Sequence, residues 1–154
     1  MSYELRDHTA DVAVEARADS LGAVFAAVAD GMAAAMCDEI PPTGGDPHEI
    51  SVAAEGREAL LFDYLDELIY ERDVRNVLPV DNEAAVHAPG ADDPDLEVGA
   101  GRGTGTDESW RVEGRYRGVP LADVVARDLK AVTYSEMSIE ERPEGWYAYV
   151  VFDV

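Results

Sequence analysis

The chain has 154 residues, of which 33 are acidic and 12 basic, for a formal net charge of −21 with histidine neutral. A chain of this length favours one compact domain that buries roughly 70 % of its unfolded surface, and a hydrophobic content of 47 % excludes a wholly disordered acidic protein. No apolar run approaches the ~20 residues needed to cross a bilayer, and Met1-Ser2-Tyr3-Glu4-Leu5-Arg6-Asp7 lacks the basic and apolar regions of a secretory leader. A cytoplasmic location is expected. Cys37 is the sole cysteine, which excludes an internal disulfide and a zinc site built from cysteines of this chain. It is expected to pack.

The cations comprise eleven Arg and one Lys, Lys130. An excess of acid with Lys almost eliminated resembles adaptation to multimolar salt, where a screening length near ~3 Å at 1 M suppresses self-repulsion, so a halophilic source is expected. A surface for cations or a basic partner is the functional alternative. The acids run along the whole chain and are not gathered in one tail, which favours solvation. Tight, unassisted RNA binding is disfavoured, because phosphate recognition needs clustered Lys and Arg.

In chain order, residues 3–7 and 11–18 alternate loosely and predict a bent strand or hairpin interrupted at His8-Thr9-Ala10. Asp19-Ser20 offers an N-cap, and Leu21, Val24, Phe25, Val28, Met32 and Met36 recur at helical spacing until Asp38 and Pro41-Pro42. Residues 41–49 read as a loop and Ile50–Glu55 as a short strand. After Gly56 a second helix places Leu60, Leu61, Tyr64, Leu65, Leu68 and Ile69 on one stripe, with Asp63, Asp66 and Glu67 on a solvated side. Asn76–His87 reads as a strand. Residues 88–109 lose all periodicity and concentrate Gly, Pro and acids, which predicts a long flexible loop within the single domain 1–154. Trp110–Tyr116 alternates again, and Pro120–Asp128 reads as a short helix or turn. Ala131–Glu140 and Trp146–Val154 close the chain as two strands joined by a hairpin connection at Arg142-Pro143-Glu144-Gly145. Strands and helices do not alternate regularly, so the expected fold class is α+β, a two-layer sandwich of a mostly antiparallel sheet with two main helices.

The last strand ends unusually, with Asp153 followed by the carboxylate of Val154. By period two Asp153 shares a face with Val151, Tyr149 and Tyr147, while Phe152 and Val150 take the other. Anionic oxygens crowded into two residues repel unless a cation sits among them. Asp11 completes the set if the first and last strands are neighbours. Carboxylate and terminal oxygens are hard donors that suit Ca²⁺ or Mg²⁺ better than zinc. A solvated strand end is the competing reading. His8 and Asp11 also form a His-x-x-Asp pair, a pattern frequent by chance, and Asp7 or Thr9 can serve local backbone bonds instead. No glycine-rich phosphate cradle and no serine nucleophile elbow occurs. Where nearly every Lys has been replaced, Lys130 marks a place for a compact ammonium that Arg does not imitate, unless it survives by chance.

His8-Thr9-Ala10-Asp11-Val12, Leu60-Leu61-Phe62-Asp63-Tyr64-Leu65-Asp66-Glu67-Leu68, Lys130-Ala131-Val132-Thr133-Tyr134 and Phe152-Asp153-Val154, in this order, resemble the archease family. The resemblance covers the chain apart from the loop at 88–109. It implies a small α+β protein that is not itself an enzyme but activates an RtcB-type RNA ligase in tRNA splicing and RNA repair. Such an activator promotes guanylylation and turnover of the ligase and broadens its use of nucleoside triphosphates. The resemblance further implies a divalent metal ion, Ca²⁺ or Mg²⁺/Mn²⁺, held by Asp11, Asp153 and Val154, with Lys130 contributing to ligase activation. RNA and nucleotide are then reached only through the ligase. Members of the family often carry His where this chain has Ser135, and the acidic, glycine-rich loop is longer than in shorter relatives, both of which bear on the docking surface. Two rival readings are an independent divalent-metal-dependent phosphoester hydrolase using Asp11, His8 and Asp153, and a general acidic chaperone or cation-binding module.

Overall fold

The structure, a computed structural model, describes residues 2–7, 11–89 and 109–154. His8-Thr9-Ala10 and the greater part of the loop expected at 88–109 therefore lie outside the described residues.

Seven strands and two helices occur in the order β1 (Ser2–Asp7), β2 (Asp11–Ala18), α1 (Leu21–Met36), β3 (Asp46–Ala54), α2 (Arg57–Arg75), β4 (Val77–His87), β5 (Trp110–Pro120), β6 (Ala131–Arg142) and β7 (Gly145–Asp153). The expected α+β class is observed. The strands divide into two antiparallel sheets, a four-stranded one in the order β1-β2-β7-β6 and a three-stranded one in the order β3-β5-β4. Each helix packs against both: α1 chiefly on β4 and β2, α2 chiefly on β3 and β6. None of the described helices is long and apolar enough to cross a membrane.

Helix α1 begins where the Ser20 hydroxyl accepts the Ala23 amide at 3.1 Å, satisfying a donor that the first turn leaves free. Its alanines at 26, 27, 29 and 33 are all buried and let the backbone lie close to its neighbours. The closest approach is at Gly22, where a side-chain carbon would collide with the carbonyl oxygen of Ala84 on β4. Helix α2 buries Leu60, Leu61, Tyr64, Leu65 and Leu68, the stripe read from its sequence, each Leu contributing about 1.5–3 kcal/mol on full burial. The helix ends at Asn76, which stands in the left-handed region at φ 57° and reverses the chain into β4. Asn76 is thus a helix cap and not the first residue of the strand. Cys37 is buried, as expected.

Strand β3 starts at Asp46, ahead of the expected Ile50, because the polar run Asp46–Glu49 pairs with Gly118–Arg115 of β5. The segment expected as a short helix or turn divides between the end of β5 at Pro120 and a 3-10 turn at Leu121–Asp123. One polar group is enclosed between α1, α2 and β4. The Asp30 carboxylate accepts the Asn82 backbone amide at 3.0 Å and its side-chain amide at 2.9 Å. Burial pushes the Asp30 carboxyl above its ordinary range, opposed by the two Asn82 bonds and reinforced by Asp81.

Candidate functional site at the head of the β2–β7 ladder

Strand β7 lies between β2 and β6, so Asp153 has a neighbour on each side. It stands opposite Asp11 of β2 and opposite Ala131 of β6. Directly opposed residues of an antiparallel pair project to the same face with Cβ atoms about 4.5–5.5 Å apart, so the two carboxylates share one small region. The strand that begins at Asp11, β2, and the strand that ends at Asp153, β7, are hydrogen-bonded neighbours, as the oxygen set requires. Asp11 is half-buried, while Asp153 and Val154 are exposed.

Lys130 is brought to the same end by its backbone. Its amide donates to the Asp153 carbonyl at 2.8 Å, extending the β6–β7 ladder by one bond. Its side chain is exposed and makes no ion pair with a described residue. The segment leading to it is tied down from two helices. The Arg127 amide donates to the Met36 carbonyl at 2.6 Å, and its guanidinium bonds both oxygens of Asp38, holding that carboxyl below its ordinary range. From α2, Arg72 donates to the Leu129 carbonyl at 2.9 Å and to the Met36 sulfur at 3.2 Å. Leu129 itself is buried, so the last turn before Lys130 is anchored in the core.

Beyond the site, β6 leaves its ladder. Thr133 pairs with Val151 and Ser138 with Tyr149, so residues 134–137 bulge out opposite a single residue of β7. Thr133 Oγ1 donates to the Val151 carbonyl at 3.0 Å and accepts the Ser135 amide at 3.2 Å, holding the bulge's first turn. Within it, the Tyr134 ring stacks on Phe62 of α2 at 4.2 Å between centroids, 10° from parallel.

Among the described residues no group of three His, Cys, Asp or Glu side chains converges. Two side-chain carboxylates, both hard donors, stand at this end, and Val154 follows the second directly. Hard oxygen donors are the type that a hard divalent cation takes. The expected partner His8 lies outside the described residues.

Arg72 and the Phe62–Tyr134 stack were not found by reading the sequence. Arg72 had a signal: it interrupts the apolar stripe of α2 after Leu65 and Leu68, and a cation on a buried stripe requires a buried acceptor. The stack had none, since it depends on a bulge.

Comparison with known proteins bears on this geometry. Residues 3–154 match the model of the Archease protein family. The chain belongs to the archease family. The curated archease of Archaeoglobus fulgidus is 30% identical over 159 residues, covering 100% of both chains. That of Pyrococcus abyssi is 26% identical over 156 residues, covering 99% of this chain and 98% of its own. The solution structure of Methanobacterium thermoautotrophicum protein 1598 superposes with a TM-score of 0.73 at 25% identity, covering 99% of this chain and 98% of that one. A crystal structure from Thermotoga maritima, described as an archease and possible chaperone, shares the fold with a TM-score of 0.54 at 18% identity, covering 98% of this chain and 96% of that one. The archease relatives are named as proteins and not as enzymes.

Proposed function

We propose that this archease is an accessory protein that activates an RtcB-type RNA ligase in tRNA splicing and RNA repair, promoting ligase guanylylation and turnover and broadening its use of nucleoside triphosphates. It performs no reaction alone. RNA and nucleotide are engaged through the ligase, consistent with a net charge of −21 that repels free polyanions. The observation that carries the proposal is the convergence of Asp11, Asp153 and the Lys130 backbone at one end of the β2–β7–β6 ladder.

Asp11, Asp153 and Val154 would hold the divalent cation, Ca²⁺ or Mg²⁺/Mn²⁺. When bound, that ion supplies charge neutralisation for a triphosphate and orients it for nucleotidyl transfer. Asp153 positions the carboxylate set through its place between two strands. Lys130, held to the Asp153 carbonyl, offers an ammonium on a flexible stem that reaches outward to a phosphate or an acidic group of the partner.

The test measures guanylylated ligase with and without this protein, using the RtcB-type ligase of the same source. Asp153→Ala, an exposed position, is expected to leave the fold intact by circular dichroism and to lose stimulation at least tenfold. Full stimulation by the folded variant overturns the metal-end mechanism. Activity of this protein alone on phosphoester substrates overturns the accessory role.

A further inference from the structure

The outer face of α2 carries a pattern that its packing uses only at one end, through Phe62. Phe62, Asp66, Tyr70 and Val74 recur every four residues and form one ridge, about 18 Å long at 1.5 Å per residue. Core-facing ridges of a helix are apolar and solvent-facing ridges polar. This one is mixed: Tyr70 is 58% and Val74 57% exposed, while Asp66, between Phe62 and Tyr70, is exposed and has Asp63 and Glu67 beside it. Tyr134, 54% exposed on its bulge, stacks on Phe62 and extends the ridge towards the end of β6 that faces Asp153. Among the described residues six large hydrophobic side chains stand exposed, and Tyr70, Val74 and Tyr134 are three of them.

Acidic residues alone would be unremarkable on a chain of this charge. Here Asp66 sits one turn from both Phe62 and Tyr70, with the exposed Val74 a turn further on. Burial first, then the charges of Glu71 and Asp66, push the Glu67 carboxyl above its ordinary range. A cationic surface would pair with Asp63, Asp66 and Glu67 while its apolar groups cover Tyr70, Val74 and Tyr134.

We infer that the Phe62–Asp66–Tyr70–Val74 ridge, with Tyr134 at its head, is the docking surface for a protein partner that presents Arg or Lys side chains around an apolar socket. On the reading given above, which this inference rests on, that partner is the ligase. The ridge is joined to the carboxylate end by the turn behind it, because Arg72 of the same helix holds the Leu129 carbonyl next to Lys130. A partner seated on α2 is thereby set in register with Lys130.

The experiment measures the affinity of the RtcB-type ligase of the same source for three proteins, the natural chain, Tyr70→Glu/Val74→Glu and Asp153→Ala, together with guanylylation at saturating concentration. The double variant changes exposed side chains only, and its thermal midpoint is measured as the check on folding. Tyr134→Ala serves as a second, chemically independent variant on the same ridge. Expected are a loss of affinity of at least tenfold for both ridge variants, full stimulation recovered at saturation, and natural affinity without stimulation for Asp153→Ala. Natural affinity in both ridge variants overturns the docking surface and leaves the accessory role standing. No binding of the natural chain overturns both.

Discussion

The guanidinium of Arg72 lies buried at the C-terminal part of α2 and donates to the carbonyl of Leu129, the residue before Lys130. The same group meets the Met36 sulfur and forms ion pairs with Asp73 at 3.0 Å and Asp128 at 3.9 Å. One side chain therefore fastens the end of α1, the end of α2 and the approach to Lys130. Arg72→Ala is expected to cost about 2–3 kcal/mol, since a charge-assisted bond disappears and a buried carbonyl loses its partner. Arg72→Lys, which keeps the charge without the planar fork, recovers part of that loss. Urea unfolding of the two variants measures both.

The carboxylate pair predicts a response to divalent ions that needs no ligase. An ion at one hundred times its dissociation constant raises the unfolding free energy by about 2.7 kcal/mol. Thermal unfolding of chelator-treated protein titrated with Ca²⁺, Mg²⁺ or Mn²⁺ is expected to show a rising midpoint. Asp11→Asn and Asp153→Asn are expected to abolish the rise, and Lys130→Ala to retain it. A midpoint unmoved by all three ions would remove the ion from the site.

Asp30 predicts a dependence on pH. Its carboxyl is held above the ordinary range by burial, so the folded state binds the proton more tightly than the unfolded chain. The stability it contributes is present below the ordinary carboxylate pKa and is lost as pH rises through the folded value. Asp30→Asn keeps an acceptor for both Asn82 bonds and lacks the charge. The stability of Asp30→Asn relative to the natural chain is expected to grow through that window and then level off. Asp30→Ala leaves the Asn82 backbone amide unpaired and its side-chain amide with the Pro79 carbonyl alone, and is expected to cost about 1–3 kcal/mol at neutral pH. Denaturant unfolding at a series of pH values checks both.

Gly22 predicts a purely steric effect. Gly22→Ala places a methyl against the Ala84 carbonyl, where backbone and not a flexible side chain must yield. A loss of about 1–3 kcal/mol is expected, despite the better helix propensity of alanine. Thermal unfolding measures it.

The sequence was legible where one physical cause governed a segment. Both helices follow from the repeat of large apolar residues, and α1 starts at the serine whose hydroxyl caps it. The pairing of Asp11 with Asp153 was anticipated as a condition of the oxygen set, and the register meets it. Boundaries failed where distant pairing overrode local character. Polar Asp46–Glu49 becomes strand because β5 lies beside it, and Asn76 becomes a cap because a left-handed residue is needed there. The division of the strands into two sheets could not be read from alternation, since period two reports a buried face but not which neighbour buries it. The Phe62–Tyr134 stack escaped for the same reason: it requires a local loss of register that no residue in β6 announces.

The place of β7 inside its sheet has a temporal meaning. β7 follows both of its neighbours, β2 and β6, in chain order yet lies between them, so until it is synthesised β6 has no partner in its sheet and β2 has β1 alone. On the ribosome the carboxylates of Asp11 and Asp153 come together only after both helices and the three-stranded sheet have emerged. A nascent or truncated chain lacking β7 would expose two unpaired strand edges and have no ion site, so any partner that reads the site meets finished molecules alone.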